Sequence, residues 1–261
     1  MNWADTVFNG KPFEGVFIFD VHGHIGCHAP QQMMDASAGD VVRKMDRLGV
    51  SGICVSSIMQ LGSDWVAGNE QTRAATEDYP GRIYGYASPN PFYEDCDLKP
   101  YFEPGSGFLG IKIHGNMNGN TALDDPRYDR TYMLANQRHL PILFHAWELW
   151  EVKCAINVAR RYPDAAIILG HTGLRDYDMK LEAIEGCRHY DNIYLDTAIS
   201  GTYDGSMEWI VNKVGADRVL YGSDLTFFEC SHTLSQLATS RLSDTEKEKI
   251  LGLNARPIFH L

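Results

Sequence analysis

"VFIFDVHGH", residues 16–24, is a short apolar run that ends in two histidines one residue apart. It is too short for a useful helix and too continuously apolar for a strand with one wet face. A strand buried on both faces, as in a parallel sheet, fits it better. Seven further runs of similar length follow: "SGICVSS" (51–57), "RIYGYAS" (82–88), "FLGIKIH" (108–114), "PILFHA" (141–146), "AAIILGH" (165–171), "NIYLDT" (192–197) and "RVLYGSD" (218–224). Their starts are 35, 31, 26, 33, 24, 27 and 26 residues apart, room for one strand and one helix each time. The segments between them have helical character, among them "GDVVRKMDRLGV", "NEQTRAATEDYP", "RTYMLANQRHL" and "WEVKCAINVARRYP". Several close on Gly or on Tyr-Pro, as helix exits do.

Eight βα units in a chain of 261 residues predict an α/β fold, a (β/α)8 TIM barrel with a single domain over residues 1–261. A doubly wound open sheet is the rival. Its dinucleotide and nucleotide versions are weakened because no G-x-G-x-x-G or P-loop follows the first run. No linker or composition break suggests a second domain.

Bulk composition excludes several classes of function. With 23 basic and 34 acidic residues the net charge is −11, and no compact basic cluster overrides it, so a nucleic-acid partner is not expected. The six cysteines are scattered, without a C-x-x-C pair or a disulfide framework. "MNWADTVFNGKPFEG" lacks the charged and apolar regions of a signal peptide, and no run approaches membrane-spanning length. The expectation is a cytoplasmic protein with no membrane association, its oligomeric state open, a homodimer included.

Polar residues fall at one end of the runs. His22 and His24 close the first, Lys112 and His114 the fourth, His145 the fifth, His171 the sixth and Asp224 the eighth. In a barrel the C-terminal ends of the strands form the face where active sites are built. Alternation places Asp20, His22 and His24 on one face, with Phe17, Phe19 and Val21 toward the helices; it stacks Ile167 and Leu169 below His171, and Leu220 and Gly222 below Asp224. Any single histidine reads best as a hydrogen-bonded core residue. Five groups at matching depth (His22, His24, His145, His171 and Asp224) suit zinc or a similar divalent ion.

The motifs "DVHGH" (20–24), "GIKIH" (110–114), "LFHA" (143–146), "LGHTG" (169–173) and "YGSD" (221–224), with the flanking "YPGRIYGYASPNP" and "KILGLNARPIF", resemble the amidohydrolase superfamily. The likeness is to its amidohydrolase-related branch of TIM-barrel metal-dependent hydrolases and covers essentially the whole chain. The resemblance implies that His22 and His24 bind one metal, with Asp224 as a further ligand and as the base for the nucleophilic water. It implies that His145 is a ligand whatever the metal count. His171 would bind a second ion, or otherwise hydrogen-bond the water or polarise the substrate carbonyl.

Lys112 governs the metal count. An ammonium beside a divalent ion is unfavourable, so it must be neutralised, moved or converted. In two-metal members of the superfamily a strand-four lysine becomes a carbamate that bridges both ions, and Lys112 stands on the matching strand; one-metal members also occur. The alternative is an unmodified amine reaching a substrate carboxylate or a nearby acid. Trp147 and Glu148 are candidates for shaping the pocket. Arg127, Arg130 and Arg175, with Asp178, lie on loops after the fourth and sixth runs, where surface pairing competes with a role in clamping a substrate carboxylate. His28, His139, His189, His232 and His260 receive no role.

The function expected from these residues is hydrolysis of an amide, ester or lactone of a small molecule by metal-activated water. The alternative is non-oxidative decarboxylation or hydration of a small carboxylic acid, chemistries also found in this branch. A non-enzymatic metal-binding scaffold is the weakest reading, because the ligand set is intact.

Overall fold

Buried apolar runs with a helical return between them can close into a barrel or stay an open sheet, and the computed structural model adopts the barrel. It describes residues 2–27, 36–62, 64–172, 177–199 and 203–261. Strands β1 (Phe19–Ile25), β2 (Gly52–Ser57), β3 (Ile83–Ala87), β4 (Phe108–Ile113), β5 (Pro141–His145), β6 (Ala166–Gly170), β7 (Ile193–Asp196) and β8 (Val219–Leu220) pair in parallel in chain order. The ring closes beyond β8, where Val21 N–H donates to Tyr221 O (2.9 Å), Asp224 N–H donates to His22 O (2.7 Å), and Gly23 bridges to Leu225. This is the (β/α)8 barrel expected from the run spacing.

The helices are α1 (Trp3–Phe8), α2 (Ala38–Leu48), α3 (Trp65–Asp78), α4 (Asp129–Arg138), α5 (Leu149–Arg161), α6 (Tyr177–His189), α7 (Ser206–Val214) and α8 (Cys230–Thr239), followed by two short ones, α9 (Asp244–Glu248) and α10 (Ala255–Phe259). Local chemistry sets their ends. Ser37 and Asp40 form a capping box at the start of α2, and Gly49 at φ 79° ends it in the left-handed conformation. Among the described residues no helix is long and apolar enough to cross a membrane.

Two clusters divide the apolar side chains by strand parity. Ile53, Val55, Ile111, Ile113, Ile142, Phe144, Ile167 and Leu169 pack outward with helix residues such as Val41, Met45, Ala75, Val152 and Val158. Phe19, Val21, Cys54, Tyr86, Leu143, Ile168 and Leu220 fill the barrel interior, which Phe259 of α10 closes from below. Phe259 rests on Phe19 and Tyr86, with ring centroids 5.4 and 6.1 Å apart.

Two parity expectations are therefore corrected. Phe19 and Val21 line the interior, with Phe17 packed beside them, and do not face the helices. The cause is an irregularity in β1: Asp20 pairs with Ile53 but Gly23 pairs with Val55, three steps against two. The extra residue resets the alternation, so Val21 supplies the floor while His22 and His24 above it still turn inward. Ile167 and Leu169 likewise belong to the outer layer; Ile168 is the interior residue of β6. His171 reaches the interior because its backbone, at φ 65°, leaves the strand alternation.

Candidate metal centre at the barrel mouth

The site is built around His22, which is fully buried on β1. Its Nδ1 lies 2.6 Å from Asp196 Oδ2 at the end of β7, and its Nε2 is turned toward Lys112 and Asp224. Lys112 Nζ, from β4, lies 2.8 Å from that Nε2. Asp224 Oδ1 is 3.5 Å from His22 Nε2 and 3.2 Å from His24 Nε2. His24 is oriented by Ser56 of β2, whose carbonyl oxygen and Oγ lie 3.2 and 3.0 Å from its Nδ1. Both β1 histidines thus present Nε2 to the same carboxylate oxygen.

The opposite wall is made of stacked rings. His145 lies between His114 and Trp147, with centroid distances of 3.8 and 5.7 Å and planes within 10°. His171 Nε2 is 3.2 Å from His145 Nδ1, and the His171 ring lies 4.8 Å from that of His22. The backbone N–H of His171 donates to Asp196 Oδ1 at 2.7 Å. The mouth holds a cavity of about 440 Å³ whose lining mixes the polar His24, His114, His145, His171 and Asp224 with the apolar Met117, Trp147, Phe227 and Phe228.

Electrostatics suits cation binding. Burial, reinforced by Lys112 and neighbouring rings, holds His22, His114, His145 and His171 well below the ordinary imidazole range. His24 is also lowered by burial, partly offset by Asp224. Neutral imidazoles offer lone pairs, the form a metal requires. Burial pushes the Lys112 ammonium down to about 8, opposed by Asp224, Asp196 and Glu151. Donor atoms of His22, His171 and Asp224 lie within 4.8 Å of one another, and His171 Nδ1 is buried without a hydrogen-bond partner. A carboxylate and neutral imidazoles gathered this closely, one ring nitrogen of them buried without a hydrogen bond, fit a divalent cation of the borderline class.

The structure therefore brings together at one mouth His22, His24, Lys112, His145, His171 and Asp224, all expected there. It also brings in residues not given a site role. Asp196 touches both His22 and His171, and its signal was visible as the carboxylate next to last in "NIYLDT". His114, which shares the Lys112 face, stacks on His145. Glu151 is buried on α5, its Oε2 accepting from the N–H groups of Trp147 (2.8 Å) and Glu148 (3.0 Å), so it sets the loop that carries Trp147. Glu148 itself caps α5.

Asp20 stands apart. Its carboxylate accepts from Ser223 Oγ and, at 3.0 Å each, from the backbone N–H groups of Ser223 and His22; burial pushes it up to about 7. Arg127 pairs with Asp125 at 2.9 Å and Arg130 donates to Glu94 O at 3.0 Å, both surface partners. Asp178 is exposed on α6, and His139, His189, His232 and His260 are exposed as well. Arg175, His28 and the final glycine of "LGHTG", Gly173, lie outside the described residues.

Similarity to known proteins extends to the fold and the family. No curated protein matches the sequence. Solved structures similar in fold include 5-carboxyvanillate decarboxylase from Novosphingobium aromaticivorans, complexed with manganese and 4-hydroxy-3-methoxy-5-nitrobenzoic acid (15% identity, 97% of this chain and 99% of that chain, TM-score 0.74). 2,6-Dihydroxybenzoate decarboxylase from Rhizobium is also similar (17% identity, 95% and 99%, TM-score 0.69). So is 4-oxalomesaconate hydratase from Rhodopseudomonas palustris (15% identity, 94% and 96%, TM-score 0.70). At such identities the likeness establishes the fold alone. The sequence itself matches the amidohydrolase family from residue 19 to residue 261, all but its first eighteen positions, and the chain belongs to that family.

Proposed function

We propose that the protein is a metal-dependent hydrolase of a small amide, ester or lactone, with His22, His24, His145, His171 and Asp224 holding one or two divalent ions, zinc first among them. The observation that carries the reading is the convergence of His22 Nε2 and His24 Nε2 on Asp224 Oδ1, each ring's other nitrogen already engaged. A bound divalent ion supplies hydroxide near neutral pH and polarises a carbonyl. The chain's own groups do the rest. Asp224 accepts the proton of the attacking water and returns it to the leaving group. Where no second ion engages it, His171 hydrogen-bonds the water or polarises the substrate carbonyl, and the apolar side chains of Met117, Trp147, Phe227 and Phe228 pack the apolar part of the substrate and exclude water.

Lys112 sharpens the proposal. Its Nζ lies on the His22 Nε2 lone pair that a metal would need, so a free amine there competes with the ion. Its depressed basicity leaves a larger share of nucleophilic neutral amine near pH 8 than an exposed lysine has. Conversion to a carbamate would release a proton, replace the basic amine by an anion, and so favour two ions. The test is metal content per chain after reconstituting metal-free protein with zinc or manganese, with and without bicarbonate, followed by a screen of esters, lactones and amides. Two ions per chain only with bicarbonate, and hydrolysis in the screen, is the expected result. One ion at saturating metal and bicarbonate with unmodified Lys112 would retire the two-ion version.

A second reading, decarboxylation or hydration of a small carboxylic acid, is favoured by the likeness to two decarboxylases and a hydratase over 94–97% of this chain. The aromatic wall of the cavity also suits a flat acid. Carbon dioxide release from aromatic acids, without hydrolysis in the screen, would move the assignment there.

A further inference from the structure

We infer that Asp196 is the positioning residue of the centre: it holds His22 in the one tautomer able to bind a metal through Nε2 and, by its other oxygen, fixes the backbone that carries His171. This rests on the reading of the mouth as a metal site. The geometry is specific. Asp196 Oδ2 lies 2.6 Å from His22 Nδ1, while Oδ1 accepts the N–H of His171 at 2.7 Å and that of Ala198 at 3.1 Å. One buried carboxylate on β7 thus joins a side chain on β1 to the main chain after β6, across the closure of the barrel, where only β7 and β8 lie between them.

The second oxygen does more than add a bond. His171 sits at φ 65°, a conformation that costs a residue other than glycine and persists only when its surroundings hold it. Space for the arrangement comes from Gly222. A Cβ at that position would stand 2.9 Å from His22 Cβ and 3.0 Å from Asp196 Oδ2, so a side chain there would push the pair apart. Carboxylates that accept the remote N–H of a ligating histidine fix both the ring and its proton.

Asp196→Asn separates this role from a merely structural one. The Asn oxygen can go on accepting from His171 and Ala198, but its amide presents N–H to His22 Nδ1. The ring must then accept there and carry its proton on Nε2, where the metal would bind.

The experiment uses the full chain with ¹⁵N-labelled histidine, metal-free, followed by zinc titration against a competing chelator. In the wild type His22 is expected to be protonated on Nδ1, and in Asp196→Asn on Nε2. Zinc affinity should fall about 10–100-fold, the range for lost outer partners of metal-binding histidines, with circular dichroism unchanged. A wild-type His22 protonated on Nε2 overturns the inference whether or not the variant folds. So does an Asp196→Asn protein that binds zinc as tightly as the wild type. A wild type that binds no zinc or manganese at all, with His22 protonated on Nδ1, overturns the metal reading and takes the inference with it, a result distinct from the other two.

Discussion

Replacing Lys112 with methionine should change how stability depends on pH more than it changes the fold. Lys112 is wholly buried, and burial lowers its ammonium from the ordinary 10.5 to about 8 despite the opposing pull of Asp224, Asp196 and Glu151. At ~1.36 kcal/mol per pH unit, that gap makes the proton cost the folded protein about 3 kcal/mol near neutrality. Between about pH 8 and 10.5 the unfolded chain holds this proton and the native protein has released it. Stability therefore rises with pH across that window, and the gain is lost again as pH falls through 8. Methionine, of similar length and without a proton, has no such rise.

The assay is urea unfolding of the metal-free protein in carbonate-free buffer, followed by tryptophan fluorescence at a series of pH values from about 7 to 10.5. Tyrosines and other alkaline groups common to both proteins drop out of the difference. The stability advantage of Lys112→Met over the wild type should shrink by about 3 kcal/mol across the series. A difference that stays flat within ~1 kcal/mol would refute the depressed amine, and with it the argument that Lys112 is poised to react with carbon dioxide. A separate zinc reconstitution gives a control, because bicarbonate should raise metal content in the wild type and have no effect in the variant.

Asp224→Asn should keep most of its metal, since an oxygen can still face His22 and His24, yet lose ~10²–10⁴-fold in kcat/KM; metal analysis beside steady-state kinetics checks it, and near-wild-type turnover removes Asp224 as the proton carrier. Phe259→Ala opens the lower end of the barrel where Phe259 packs on Phe19 and Tyr86, and should cost ~3–5 kcal/mol in urea unfolding while leaving metal content unchanged at low urea.

The barrel was legible because each strand, buried on both faces, leaves an apolar run that composition alone reveals, as "FLGIKIH" and "AAIILGH" show. The depth of the polar residues was legible for the same reason. Side-chain direction was not legible in β1, because the extra residue between Asp20 and Gly23 changes no residue type and yet moves Val21 to the interior. His171 was placed at the right mouth from the wrong premise: the residue below it in the interior is Ile168, and a left-handed backbone makes the turn. Asp196 carried a readable signal, a carboxylate at a strand end. Its partners, however, are 174 residues away at His22 and 25 away at the His171 backbone, and no local pattern announces that distance. Glu151 lay further from reach, since a helical carboxylate turned back onto the N–H groups of Trp147 and Glu148 looks like an ordinary first-turn acid.

The mouth also departs from regular geometry in ways that ordinary core histidines do not require. Of the described histidines with positive φ, His139 and His260 end helices α4 and α10, where the left-handed conformation is the usual way to terminate. His171 and Asp224 cap nothing, yet they stand at φ 65° and 59°. Such conformations cost roughly 1–3 kcal/mol each and persist only where neighbours compel them. Here Asp196 Oδ1 holds the His171 N–H, and His22 O holds the Asp224 N–H at 2.7 Å. A histidine kept only for packing would relax into the strand and satisfy both ring nitrogens. His171 instead leaves Nδ1 buried without a hydrogen bond, and one of its ring nitrogens lies within 4.8 Å of donor atoms of Asp224 and His22. Strain, a buried ring nitrogen without a hydrogen bond and the bulge in β1 all lie at one end of the barrel, the face where barrels build their active sites, and their coincidence there is what the proposed cation site leads one to expect.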